Sequence, residues 1–175
     1  MDAKPNVLNK ILSAVVRRPI FFRACNGTST DTSDIFGYEL PHDSTKYIMF
    51  MAVVPRDFKA GSDWELIFNW GGDAANETGS DKSCVIIPRY NTWREGEVIG
   101  SPTTLDAIEL VIPDGEAANT LHKSTILTIA DLQAGDLISM YIRRDGGAGG
   151  DTYTGNLFIA LPALGKYTAD KIGVT

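Results

Sequence analysis

The sequence predicts an all-β chain, an antiparallel β-sandwich of the jelly-roll type with a short N-terminal helix or arm. Three observations lead there. The segment DWELIFNW (Asp63 to Trp70) places Trp64, Leu66, Phe68 and Trp70 on one side and Glu65 and Asn69 on the other, with Ile67 as the exception; that is the period of a half-buried strand. Apolar runs of similar length recur along the chain, separated by turn residues: Pro55-Arg56-Asp57 with Gly61, Gly71-Gly72-Asp73, Pro113-Asp114-Gly115 and Ala134-Gly135-Asp136. Beyond residue 20 no segment has helical spacing, which disfavours alternating β and α units. With 175 residues, 43% of them apolar, the chain suits one domain with a substantial core. The expected division is residues 1–19 as helix or arm and 20–175 as the sandwich.

Taken in order, residues 5–16 carry the one helical pattern, with Pro5 in the first turn, Val7, Leu8, Ile11, Leu12 and Val15 on a common stripe, and Pro19 closing the segment. A dozen residues make a marginal helix alone, so this stripe is expected to be an assembly contact, on its own domain or on a neighbouring subunit. Short strands follow at Ile20–Arg23 and Ile35–Leu40. The run KYIMFMAVV (Lys46 to Val54) is apolar on both alternating faces, Tyr47, Met49, Met51 and Val53 against Ile48, Phe50, Ala52 and Val54; this predicts a strand buried from both sides. Further strands are expected at Cys84–Ile87, Ile108–Ile112, Thr125–Ile129, Leu137–Arg144 and Leu157–Leu161. Eight or nine strands with several long connections fit two facing sheets. The polar, small-residue loop Gly71 to Lys82 is expected at the surface and mobile.

The stretch RRDGGAGGDTYTGN (Arg143 to Asn156) has the glycine content of a phosphate loop, but such a loop needs a helix starting at once behind it. An apolar, β-compatible run follows instead. The expectation is a hairpin with a flexible glycine tip in which positive φ is sterically cheap, and with Asp151 turning on the backbone of Tyr153.

Charge and composition exclude several functions. Sixteen basic residues against 22 acidic give a net charge of −6, and the basic pairs are Arg17-Arg18 and Arg143-Arg144; nucleic acid and anionic membrane surfaces are not expected partners. No run approaches 18 apolar residues. The short apolar run Ile11 to Val16 lacks a cleavage site and does not suit a signal peptide, so the expectation is an unprocessed, intracellularly made chain. Cys25 and Cys84 form no close-spaced metal motif; two buried thiols are expected, a single disulfide being the alternative. His42 and His122 are the histidines, too few for a cupin-type metal site, and no G-x-S-x-G turn is present. No enzyme, cofactor or metal is expected. The carboxylate groups Asp31/Asp34, Asp73/Glu77/Asp81 and Asp145/Asp151 read as solvated loop residues, with an irregular calcium site as the alternative. Asn26-Gly27-Thr28 and Asn76-Glu77-Thr78 match the glycosylation acceptor pattern by chance, no secretory signal being expected. Trp64 and Trp70 belong with the core. Tyr90 and Trp93, in the polar stretch YNTWREGE, are the candidate ligand or interface aromatics.

The series Val53-Val54-Pro55-Arg56-Asp57-Phe58, Asp63-Trp64-Glu65-Leu66, Asn69-Trp70, Ala134-Gly135-Asp136-Leu137-Ile138, Ile142-Arg143-Arg144-Asp145 and Asp151-Thr152-Tyr153-Thr154-Gly155 resembles β-sandwich structural proteins of tailed bacteriophages over residues 46–161. That resemblance implies a virion component assembled in the host cytoplasm: a capsid decoration or cement protein, or a head- or tail-fibre piece, often trimeric, bound to the major capsid protein or another virion protein. It carries no catalytic or cofactor residues. The competing expectation is a carbohydrate- or receptor-binding module of the tail or fibre adhesin type, using Tyr90 and Trp93.

Overall fold

The computed structural model describes residues 14–20, 28–32, 35–42, 47–98 and 100–169. They form twelve strands in two antiparallel sheets, a β-sandwich as expected. The strands are β1 (Ala14–Ile20), β2 (Thr28–Thr32), β3 (Ile35–Leu40), β4 (Tyr47–Val53), β5 (Trp64–Gly72), β6 (Lys82–Trp93), β7 (Thr103–Thr104), β8 (Ile108–Ile112), β9 (His122–Lys123), β10 (Leu127–Ile129), β11 (Leu137–Arg144) and β12 (Leu157–Ala169). Seven make one sheet, in the order β10-β5-β12-β3-β2, with β9 also on β5 and β1 also on β12. The other five run β4-β11-β6-β7, with β8 also on β6.

Alternation builds the core. Trp64, Leu66, Phe68 and Trp70 of β5 are buried, and facing them lie Ile48 and Phe50 of β4, Cys84 and Ile86 of β6, and Ile138, Met140 and Ile142 of β11. The period of two sends their neighbours to the outside of each sheet.

Three strands run past prolines at which the sequence pattern stops, the first being β1, where Pro19 stands opposite Leu164. Pro88 lies within β6, opposite Ile142, and its carbonyl accepts the N–H of Leu105 at 3.0 Å. Its nitrogen therefore faces the interval between β7 and β8, where no ladder bond is required of it. Pro162 lies within β12 at a register shift between Ala160 and Leu164, a place where an absent N–H is tolerated.

The expected hairpin around RRDGGAGGDTYTGN does not form. β11 pairs with β4 and β6, whereas β12 pairs with β5, β3 and β1, so the connection crosses from one sheet to the other. Its glycines are not at positive φ either. Gly146 answers a packing demand: a Cβ there would lie 1.5 Å from the carbonyl oxygen of His42.

At the N-terminal end, Ala14 to Val16, the last part of the segment expected as helix, begin β1, which runs antiparallel to β12 with Ala14 opposite Ala169. Val7, Leu8, Ile11 and Leu12 lie outside the described residues. Val15 is in β1, opposite Thr168.

Candidate ligand-binding face

The strand KYIMFMAVV is the origin of the site. β4 buries one face only: Ile48 and Phe50 point into the core, while Tyr47 and Met49 are half-buried and Met51 and Val53 are 48% and 62% exposed. Burial from both sides was the expectation. No second layer covers the outer face among the described residues, and its apolar side chains stay at the surface.

Antiparallel register continues this face across three strands. Tyr47 stands opposite Arg143, and Arg143 opposite Ile87; one rung along, Met49 stands opposite Tyr141, and Tyr141 opposite Arg89. These six side chains line a cleft of 380 Å³ on the outside of the five-stranded sheet. Directly opposed residues bring their Cβ atoms to roughly 4.5–5.5 Å, and diagonal ones remain within reach of aromatic rings. The Tyr47 and Tyr141 rings accordingly meet edge to face, with centroids 5.9 Å apart and planes at 62°.

The cleft is cationic. No hydrogen bond or ion pair joins the side chain of Arg89 or Arg143 to another described residue. Asp145 and Glu109 lie near the next rung, where Val85 stands opposite Glu109 and accepts the N–H of Asp145, without reaching either guanidinium. Rigid strands, two aromatic rings and two unpaired guanidinium groups make a surface suited to holding a ligand. The six residues include no carboxylate, imidazole or thiol for acid–base or nucleophilic work.

The two aromatics singled out from the sequence fall on opposite faces of β6. Tyr90, at an even position with Ile86 and Pro88, packs against the core. Trp93 shares the outward parity of Ile87 and Arg89 and stands opposite Leu137, itself opposite Val53, beyond the cleft; its indole Nε1 is buried without a hydrogen-bond partner. Sequence inspection missed Tyr47, Met49, Arg89 and Tyr141 as a set. The usable signal was the second apolar face of β4.

The remaining candidate groups are structural. Arg144, 1% exposed, is clasped by Asp151: Nε donates to Oδ2 at 2.9 Å and a terminal nitrogen to Oδ1 at 2.7 Å. The guanidinium also donates to the carbonyls of Gly155, at 2.6 Å, and Tyr153. Asp151 Oδ2 accepts the N–H of Val85 at 2.9 Å, and the Tyr153 N–H goes to the Ser83 carbonyl instead of to Asp151. The Tyr153 hydroxyl donates to the carbonyl of Ala74 and accepts its N–H, at 2.7 and 2.9 Å, and burial pushes its pKa up. Loop 71–82 is thus pinned, and Asn76 pins it again: its buried amide donates to the carbonyls of Ser80, Ile112 and Pro113 at 3.0, 3.0 and 3.1 Å. Those bonds withdraw the Asn76 nitrogen from glycosylation. Asn26 lies outside the described residues.

At the turn before β11, Gly135 takes φ 91° and Asp136 accepts the N–H of Gln133 at 2.8 Å. The Arg94 guanidinium grips Asp136 from the end of β6, Nε to Oδ1 at 2.9 Å and a terminal nitrogen to Oδ2 at 2.8 Å, and holds its carboxyl below the usual range. Cys84 is a free, buried thiol whose pKa burial pushes up to about 12; Cys25 lies outside the described residues. His122 stacks on Trp70, centroids 4.6 Å apart, with Nε2 at 2.8 Å from both oxygens of Glu116. His42 Nε2 lies 3.7 Å from Asp151 Oδ1. Among the described residues no group of three or more His, Cys, Asp or Glu side chains could hold a metal ion.

No family model matches the chain, and comparison of its sequence with curated proteins gives no match. Solved structures share the fold. A CocE/NonD family hydrolase from Staphylococcus aureus superposes with a TM-score of 0.50 at 8% identity, over 89% of this chain and 36% of that one. The CBM36-1 domain of a multidomain xylanase from the hindgut metagenome of Trinervitermes trinervoides gives a TM-score of 0.42 at 11% identity, covering 93% of this chain and 99% of that one. The enzymatically active domain of tailspike protein 4 of Bacteriophage CBA120 gives 0.39 at 12% identity, over 92% of this chain and 20% of that one. The chain thus spans about a fifth of the tailspike and about a third of the hydrolase, and the likeness is one of β-sandwich fold.

Proposed function

We propose that this chain is a carbohydrate-binding β-sandwich module and that the cleft on the outside of the five-stranded sheet is its binding surface. The observation that carries the reading is the pair of half-buried tyrosines, Tyr47 and Tyr141, held on adjacent strands in a 380 Å³ cleft. Aromatic faces take up the C–H surface of a sugar ring, while the phenol and guanidinium edges supply hydrogen bonds. Strands position such groups at low entropic cost. The cleft offers no acid–base pair, so binding rather than turnover is the role assigned to it. A tail- or fibre-type adhesin on a virion is one setting in which such a module works, and co-sedimentation with particles tests that location.

The test is a glycan array followed by calorimetric titration of the best ligand, with wild type compared with Tyr141→Ala. Loss of one stacking ring is expected to weaken binding about tenfold or more, equivalent to ~1.4 kcal/mol, with the melting temperature little changed. Binding unaffected by Tyr141→Ala would remove the cleft from the reading, and silence on every glycan would remove the function.

A further inference from the structure

The cleft combines its aromatic and cationic groups in a repeated unit. Tyr47 stands directly opposite Arg143 on β4 and β11, and Tyr141 directly opposite Arg89 on β11 and β6. Each tyrosine thus has a guanidinium at its side, and the second pair is the first displaced by one strand and one rung. The two arginines are diagonal neighbours across β11 and β6, a relation that puts Cα atoms roughly 7–8 Å apart. Neither is bonded to another described residue. Like charges at this spacing repel, and a chain of net charge −6 has acidic residues enough to have paired them. Arg89 is exposed and Arg143 half-buried, so both guanidinium groups are open to a counter-charge brought by a ligand.

We infer that the ligand is an acidic saccharide carrying carboxylates on neighbouring residues, a uronate oligomer. This rests on the reading of the cleft as a saccharide surface. A uronate residue joins the two chemistries that each tyrosine–arginine pair offers: the C–H face of its ring lies on the phenol, and the carboxylate on the ring's own edge meets the planar guanidinium fork in a bidentate contact. A neutral sugar offers the guanidinium groups hydroxyl acceptors but no counter-charge, which disfavours it even though the rings stack equally well. Met49 and Ile87 complete the lining at opposite corners, Met49 beside Tyr141 and Ile87 beside Arg143.

The full chain is titrated calorimetrically with tetragalacturonate and tetramannuronate, and with neutral xylotetraose and cellotetraose, at low and at physiological salt. An acidic tetramer is expected to bind at least tenfold more tightly than either neutral one and to weaken as salt rises. Arg89→Gln and Arg143→Gln each lower that affinity roughly ten- to a hundredfold, a larger factor than either costs any neutral tetramer, and the melting temperature is unchanged. Neutral tetramers bound as tightly as acidic ones, or acidic binding untouched by both arginine variants, would overturn the inference and leave the module reading standing. Absence of binding to all four would overturn both. A native mass that falls from dimer to monomer on Tyr141→Ala would assign the face to a second copy of the chain, and would also overturn both.

Discussion

Asp151→Asn isolates the buried clasp beneath the loop between β11 and β12. Arg144 is 1% exposed and Asp151 8%, and their bidentate contact is supplemented by the carbonyls of Tyr153 and Gly155 and by the N–H of Val85. The amide retains an acceptor for Val85 but leaves the guanidinium without its counter-charge. Breaking a buried pair in this way costs ~3–5 kcal/mol, and the lower end applies because an Asn oxygen still accepts one guanidinium bond. Domains have roughly 5–15 kcal/mol of stability in all. With a urea slope of roughly 1–3 kcal/mol per molar, the midpoint should fall by ~1–3 M. The assay is a urea titration followed by tryptophan fluorescence. A shift below about 0.3 M at unchanged slope, equivalent to less than ~1 kcal/mol, would refute the claim that the pair is desolvated and structural. In the double variant Arg144→Met/Asp151→Asn no charge is left buried, so its loss should be smaller than the sum of the two single losses.

Two further outcomes follow from the ionisable groups. The Arg94 fork lowers the Asp136 pKa in the folded chain, so unfolded Asp136 binds its proton at higher pH than folded Asp136. Its stabilising contribution is complete above the ordinary aspartate value of about 3.9 and disappears as pH falls through the depressed folded value. Thermal melts of Asp136→Asn should accordingly show a shallower loss of stability on acidification than wild type, and parallel curves would contradict the assignment. Cys84, with its thiol raised to about 12 by burial, should resist alkylation by iodoacetamide at pH 8 in a Cys25→Ser chain and react fully once unfolded. Rapid labelling of the native chain, read by mass spectrometry, would show that the thiol is accessible.

The fold was legible where one strand face is buried and the other solvated. Trp64 to Trp70 shows this, since Trp64, Leu66, Phe68 and Trp70 all reached the core. It was obscured at prolines, because a single missing N–H reads locally as a strand end although the neighbouring strands decide whether that N–H is needed; β6 and β12 both continue past one. Sheet membership was not legible either. Residues 145–156 contain turn chemistry that fits a hairpin, and only the pairing of β11 with β4 and β6 and of β12 with β5, β3 and β1 shows that the chain crosses between sheets. The candidate site was half legible. Tyr47, Met49, Met51 and Val53 stand together in the sequence as one apolar face, but the arginines and Tyr141 join them only through register, which a single strand does not encode. Tyr90 and Trp93, three residues apart, could not have shared a face of one regular strand.

The position of β12 governs how the molecule can be made. It lies between β5 on one side and β3 and β1 on the other, so the larger sheet has no centre until residues 157–169 are in place. At translation rates of roughly 5–20 residues per second, the ~85 residues between β5 and the start of β12 take several seconds to appear. Throughout that interval Trp64, Leu66, Phe68 and Trp70 lack the strand that joins β5 to the rest of its sheet. Closure then requires pairing across most of the chain's length, which places folding among the slow, non-local topologies. The nascent chain is therefore most exposed to aggregation just before its final strand arrives, and recovery of native protein should respond more to chaperone supply and growth temperature than to substitutions on the cleft.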